Sequence, residues 1–88
     1  MEVGRRVYYD PLTGDVVQDC GERSGDVTQT TQEQDFEVYS NLQPYEQGTL
    51  GILELEYGTF RENFAKYLYH IDLTKNPIDE TAIVWDQL

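Results

Sequence analysis

The chain has 88 residues, enough for one domain with a modest core and too few for two ordinary ones. Seventeen acids against six bases give a formal charge of -11, which argues against direct binding to nucleic acid or to an anionic lipid surface. Aromatic residues make up 12% of the chain, and this excludes the composition of a disordered segment, where too little apolar surface is available to offset backbone entropy.

Val7-Tyr8-Tyr9 and Val16-Val17 are β-rich runs separated by Asp10-Pro11-Leu12-Thr13-Gly14-Asp15, and together they predict a β-hairpin. Pro11 presets φ for a turn, and Gly14 can take the positive φ that closes such a loop. The segment Cys20-Gly21-Glu22-Arg23-Ser24-Gly25-Asp26 has two glycines and no apolar residue beyond the cysteine, so it is expected to be a loop. Cys20 is the single cysteine, which rules out an internal disulfide and a cysteine-based metal cage and suits a reducing compartment.

Thr30-Thr31-Gln32-Glu33-Gln34-Asp35 carries the signature of a helix start, since either threonine can cap while Glu33 or Gln34 completes a capping box. Phe36, Tyr39 and Leu42 then fall three apart, predicting one apolar face over about three turns, with Glu33 and Glu37 near the wet side. Pro44 and Gly48 break the helix. From Thr49 the pattern changes. Leu53, Leu55 and Tyr57 alternate with Glu54 and Glu56, the period of a strand with one buried and one wet face. Gly58 is expected to end it, and Phe60 and Phe64 have the i, i+4 spacing of a single helical turn.

Tyr67 to Leu73 and Thr81 to Trp85 are again β-rich and predict a second hairpin, joined by Thr74-Lys75-Asn76-Pro77-Ile78-Asp79-Glu80. Five strands and one or two short helices define an α+β domain over residues 1–88: a small, mainly antiparallel sheet built from two β-hairpins and a central strand. No run approaches the ~20 apolar residues of a membrane span, and no signal-peptide run follows the N-terminal residues Met1 to Arg6.

Catalysis needs groups that converge, and the sequence offers one histidine, one cysteine, no phosphate-binding glycine loop and no metal-ligand spacing. His70 lies in a strand pattern without a second histidine to form a metal pair. Glu54 and Glu56 share a strand face, as a glycosidase or hard-metal site would need, yet alternating Leu and Glu is the ordinary mark of an amphipathic strand. Asp10, Asp15, Asp19 and Asp26 fit turn formation better than a twelve-residue calcium loop. The expectation is a non-enzymatic protein with no cofactor and no metal. Its interaction surface would draw on Tyr8, Tyr9, Tyr67, Tyr69, Glu54 and Glu56, with core and interface competing for each tyrosine.

Three segments, Val7-Tyr8-Tyr9-Asp10-Pro11-Leu12-Thr13-Gly14-Asp15-Val16-Val17, Thr30-Thr31-Gln32-Glu33-Gln34-Asp35-Phe36 and Gly51-Ile52-Leu53-Glu54-Leu55-Glu56-Tyr57-Gly58, occur in that order. The set resembles small uncharacterised proteins from the tail-gene region of phages and prophages of Gram-positive bacteria. That resemblance implies a setting in the host cytoplasm or the virion and a part in tail, baseplate or fibre assembly. The partner would be a protein, with phage tail components and further copies of the chain as candidates. An alternative expectation follows from the charge: an acidic regulatory protein that captures a basic, nucleic-acid-binding protein, as a nucleic-acid mimic does.

Overall fold

The computed structural model describes Met1–Asp86 as an α+β fold of seven strands in three antiparallel sheets, with two α-helices and short 3-10 turns. The central sheet has the order β3-β2-β5, where β2 is Arg6–Tyr9, β3 is Val16–Asp19 and β5 is Gly51–Glu54. The expected first hairpin is β2–β3. Its turn is closed by backbone bonds of 2.8 Å from Asp10 N–H to Asp15 and from Gly14 N–H to Asp10, and Asp10 Oδ1 accepts from Leu12 N–H. An aspartate that bonds the backbone two residues on is a common way to start such a turn. Register slips between Tyr8 and Tyr9, which pair with Gln18 and Val16, so Val17 is an extra residue in β3.

Alternation along β2 sends its side chains to opposite faces, and both faces are covered. On one side, Val7 and Tyr9 join Leu53, Leu55, Ile71, Ala82 and Ile83 in the larger apolar cluster. On the other, Tyr8 packs with Leu42 and Leu50 beneath Phe36, Tyr39 and Ile52. The chain is therefore three layers deep at β2, with the second hairpin below the sheet and the first helix above it. Gly51 stands opposite Tyr9 in the register, and a Cβ there would lie 2.2 Å from Cζ of the tyrosine ring. Only glycine leaves room for that ring to lie across β5.

Helix α1 spans Gln32–Val38 and starts as the capping box predicts: Thr31 Oγ1 accepts from Gln34 N–H, and the Gln34 side chain accepts from Thr31 N–H. It is shorter than the three turns expected. Tyr39 is extended, and Leu42 reaches the core from a separate 3-10 turn, Ser40–Leu42. Strand β5 also ends three residues early, at Glu54, although Leu55 stays buried in the larger cluster and its N–H donates to Arg5 O at 2.8 Å. The wet face expected for this strand is open at Glu54 but half-covered at Ile52, which packs under the layer of α1.

Cys20 to Asp26 was expected to be a loop throughout, and here the structure corrects the sequence reading. Arg23–Ser24 (β4) pairs antiparallel with Glu2–Val3 (β1), after a turn in which Asp19 Oδ1 accepts from Gly21 N–H. A two-residue strand has no period to detect, and its partner lies twenty residues away. With this small sheet the strands number seven, not the five expected.

Helix α2, Arg61–Lys66, follows Phe60, the one non-glycine residue at positive φ among the described residues. Strands β6, Leu68–Ile71, and β7, Ile83–Asp86, form the second hairpin, with Tyr69 opposite Trp85 and Ile71 opposite Ile83. Among the described residues, no helix is long and apolar enough to cross a membrane.

Candidate interaction surface

The six residues expected on an interaction surface do not form one patch. Tyr8 is 0% and Tyr9 7% exposed, so neither is offered to a partner; they fill the two cores on either side of β2. Tyr69 is half-buried and its hydroxyl donates to Asp19 Oδ2 at 2.7 Å. Burial, then that hydrogen bond, drives its pKa well above the ordinary tyrosine value. Tyr67 is exposed. Glu54 and Glu56 are exposed on the far edge of the central sheet, where Glu54 accepts from Arg6 Nε at 2.8 Å. Together with Glu80 they line one open groove there.

Arg6 also donates to Asp35 Oδ2 at 2.8 Å, and this pair anchors α1 to the sheet. Asp35, in the middle of α1, is only 1% exposed, yet each oxygen is satisfied: Tyr8 and Arg6 donate to one, and Thr30 Oγ1 to the other. Burial by itself would raise the Asp35 pKa, but the bonds from Thr30, Tyr8 and Arg6 outweigh it and hold the carboxyl below its ordinary value. The helical spacing of Phe36, Tyr39 and Leu42 gave no sign of a buried acid beside them. The one available signal was a carboxylate in the first turn, directly preceding an aromatic residue.

Exposed apolar side chains are spread over the surface, with Leu12, Val38 and Met1 the most open, and further ones lie around α2 and the second hairpin. Phe60, Tyr67, Leu68 and Val84 are all open to solvent there, Leu68 at 65%. By strand alternation Leu68 and Val84 face away from Tyr69 and Trp85, and of the four it is Phe60 that the aromatic cluster braces. The Trp85 ring meets Phe60 and Phe64 edge-on, at centroid distances of 5.8 and 4.9 Å, and Phe64 packs against Tyr69 on one side and under the Arg5 guanidinium on the other. Phe60 reaches Trp85 from a left-handed backbone at φ 53°, a conformation that costs energy in a residue with a Cβ. Beside this surface, Leu68 and Val16 line an open groove of about 580 Å³ between β3 and β6, with Asp15, His70 and Asp86 in its walls. His70 Nδ1 lies 3.1 Å from Asp86 across the strand pair.

The exposed charged side chains are predominantly acidic. Ten of the seventeen acidic side chains are exposed, whereas Arg5, Arg6 and Arg23 are turned inward, leaving Arg61, Lys66 and Lys75 as the exposed bases. Among the described residues, no group of three or more His, Cys, Asp or Glu side chains is arranged to hold a metal ion. No protein-family model, no curated protein and no solved structure matches the chain.

Proposed function

We propose that the chain is a non-catalytic protein-binding component of a phage or prophage, acting in tail, baseplate or fibre assembly. The observation that carries the binding role is the pair of exposed apolar side chains Leu68 and Val84 on the outer face of the second hairpin, with an acid-walled groove beside Leu68. Apolar side chains next to charges that stay wet are the arrangement of an interface whose centre supplies affinity and whose rim selects the partner. The phage setting is supported by the resemblance of the three ordered segments. Purified virions analysed by mass spectrometry, with light scattering of the isolated protein, test it: presence in particles or a defined complex with a tail protein is expected. Absence from particles combined with no affinity for any tail protein would remove the assembly reading.

A second reading is favoured by one observation, the excess of exposed acids, ten against the three exposed bases Arg61, Lys66 and Lys75. In it the chain captures a basic, nucleic-acid-binding protein through its acidic exterior. Salt separates the two. Capture by charge weakens steeply between low and high ionic strength, and docking on apolar anchors does not.

A further inference from the structure

Three of the chain's six basic residues, Arg5, Arg6 and Arg23, line a single cavity of about 60 Å³. In a protein of net charge -11, which has carboxylates to spare for every cation, that convergence calls for a cause. Two of the guanidiniums are matched. Arg6 is held by Asp35, by Glu54 and by the Thr30 carbonyl, and Arg5 Nη1 lies 2.8 Å from each oxygen of Asp19. Arg23 has no ion pair among the described residues. In addition, Nε of Arg23 and Nε of Arg5 are both buried and have no hydrogen-bond acceptor among the described residues. A buried donor without an acceptor carries the full cost of its lost hydration.

We infer that this cavity is a binding site for one small oxyanion of the size and charge of a carboxylate, held by the unmatched guanidinium of Arg23. Size sets the first limit. Pockets for drug-sized ligands run to roughly 300–1,000 Å³, and liquid water takes about 30 Å³ per molecule, so the space suits two or three heavy atoms with their contacts. Charge sets the second. Asp35 and Glu54 stand in the same walls, so a single negative charge balances Arg23, while a second one would meet their repulsion. The planar guanidinium fork is matched in shape to two carboxylate oxygens. Gly21 adds room: a Cβ there would meet nothing within 4 Å.

The small β1–β4 sheet gains a role from this. It places Arg23 opposite Val3, two residues before Arg5, and so brings together donors that the sequence keeps eighteen positions apart. The site is independent of the apolar surface on the second hairpin, and either can fail without the other.

Sodium acetate is the probe, titrated into the full chain against sodium chloride at equal ionic strength, with the arginine Nε–Hε resonances read by nitrogen–proton NMR. Acetate is expected to shift the Arg23 and Arg5 signals saturably, while Arg61 on the outside responds to both salts alike. Arg23→Gln should weaken binding by about tenfold or more, and Arg23→Lys, which keeps the charge but not the fork, should fall between. Inorganic phosphate at neutral pH should bind more weakly than acetate. A short peptide with a free terminal carboxylate, compared with its amide, separates the sources: tighter binding than acetate points to a carboxylate presented by another chain, and no binding to a free small acid. Equal shifts in acetate and chloride would overturn the proposal, since a cavity that holds only water responds to screening alone. Undiminished acetate binding in a folded Arg23→Gln protein would overturn it as well. Should that variant not fold, Arg23→Lys and the wild-type shift pattern carry the decision.

Discussion

The Ile71 N–H donates to the Gly14 carbonyl at 2.8 Å, and a Cβ on Gly14 would lie 2.1 Å from the Ile71 oxygen. The two hairpins thus meet backbone to backbone, at the point where the first turn docks on β6. Gly14 also sits at φ 80°, so a side chain there faces both backbone strain and a rigid neighbour. Gly25, at φ 96° with open space around it, faces the strain alone. Gly25→Ala should cost about 1–2 kcal/mol and Gly14→Ala about 3 kcal/mol or more, measured by urea unfolding. Equal costs at the two positions would show that the hairpins are not in contact through Gly14.

Removing the charge of Asp35 leaves Arg6, whose side chain is 12% exposed, with the solvent-facing Glu54 as its one remaining carboxylate partner. Asp35→Asn is expected to destabilise the fold by about 3 kcal/mol, because breaking a buried pair strands the other charge. Tyr8→Phe removes a 2.6 Å bond to the same carboxylate and should cost about 1.5–3 kcal/mol. The double variant should lose less than the sum of the two single losses, since both act through one carboxylate. Strict additivity in the chemical-denaturation cycle would contradict a shared network.

The Asp35 carboxyl is held below its ordinary value in the folded chain. A group of that kind contributes stability that is fully present above its unfolded pKa, about 3.9, and that disappears as pH falls through the lower, folded value. The gap in stability between the wild type and Asp35→Asn should therefore be constant from pH 7 to about pH 5 and should narrow below about pH 4. Comparing the two proteins cancels the opposing gain as the other carboxylates lose their mutual repulsion. A gap that does not change down to the acid unfolding limit would exclude Asp35 as the source.

Burial first, and then the charge of Asp35, push the Cys20 thiol up to about 11. At pH 8 the thiolate fraction is then roughly a hundredfold below that of an ordinary cysteine. Alkylation of the folded protein should be slower by about that factor and should keep rising tenfold per pH unit to about pH 10, where a free thiol has already levelled off. Rates equal to those of the urea-unfolded chain would place Cys20 in an exposed, basic setting instead.

Several signals with a local cause hold in the structure. Asp10, Pro11 and Gly14 form the turn their chemistry dictates, Thr31 and Gln34 form their reciprocal cap, and Leu53 and Leu55 are buried while Glu54 and Glu56 are wet. What stayed hidden depended on distant partners. The adjacent tyrosines at positions 8 and 9 are both buried because α1 covers one face of β2 and the second hairpin the other, and alternation within a strand cannot say how many of its faces are covered. The pairing of β1 with β4 is too short to show a period. Arg5, Arg6 and Arg23 look like scattered surface charges until that pairing gathers them.

The inward turn of those arginines also settles where the folded chain is open to trypsin, which cuts after lysine and arginine. The exposed sites, Arg61, Lys66 and Lys75, all fall in α2 and in the segment linking β6 to β7. Brief digestion of the native protein should sever the second hairpin from an intact amino-terminal fragment before any cut occurs among the first sixty residues.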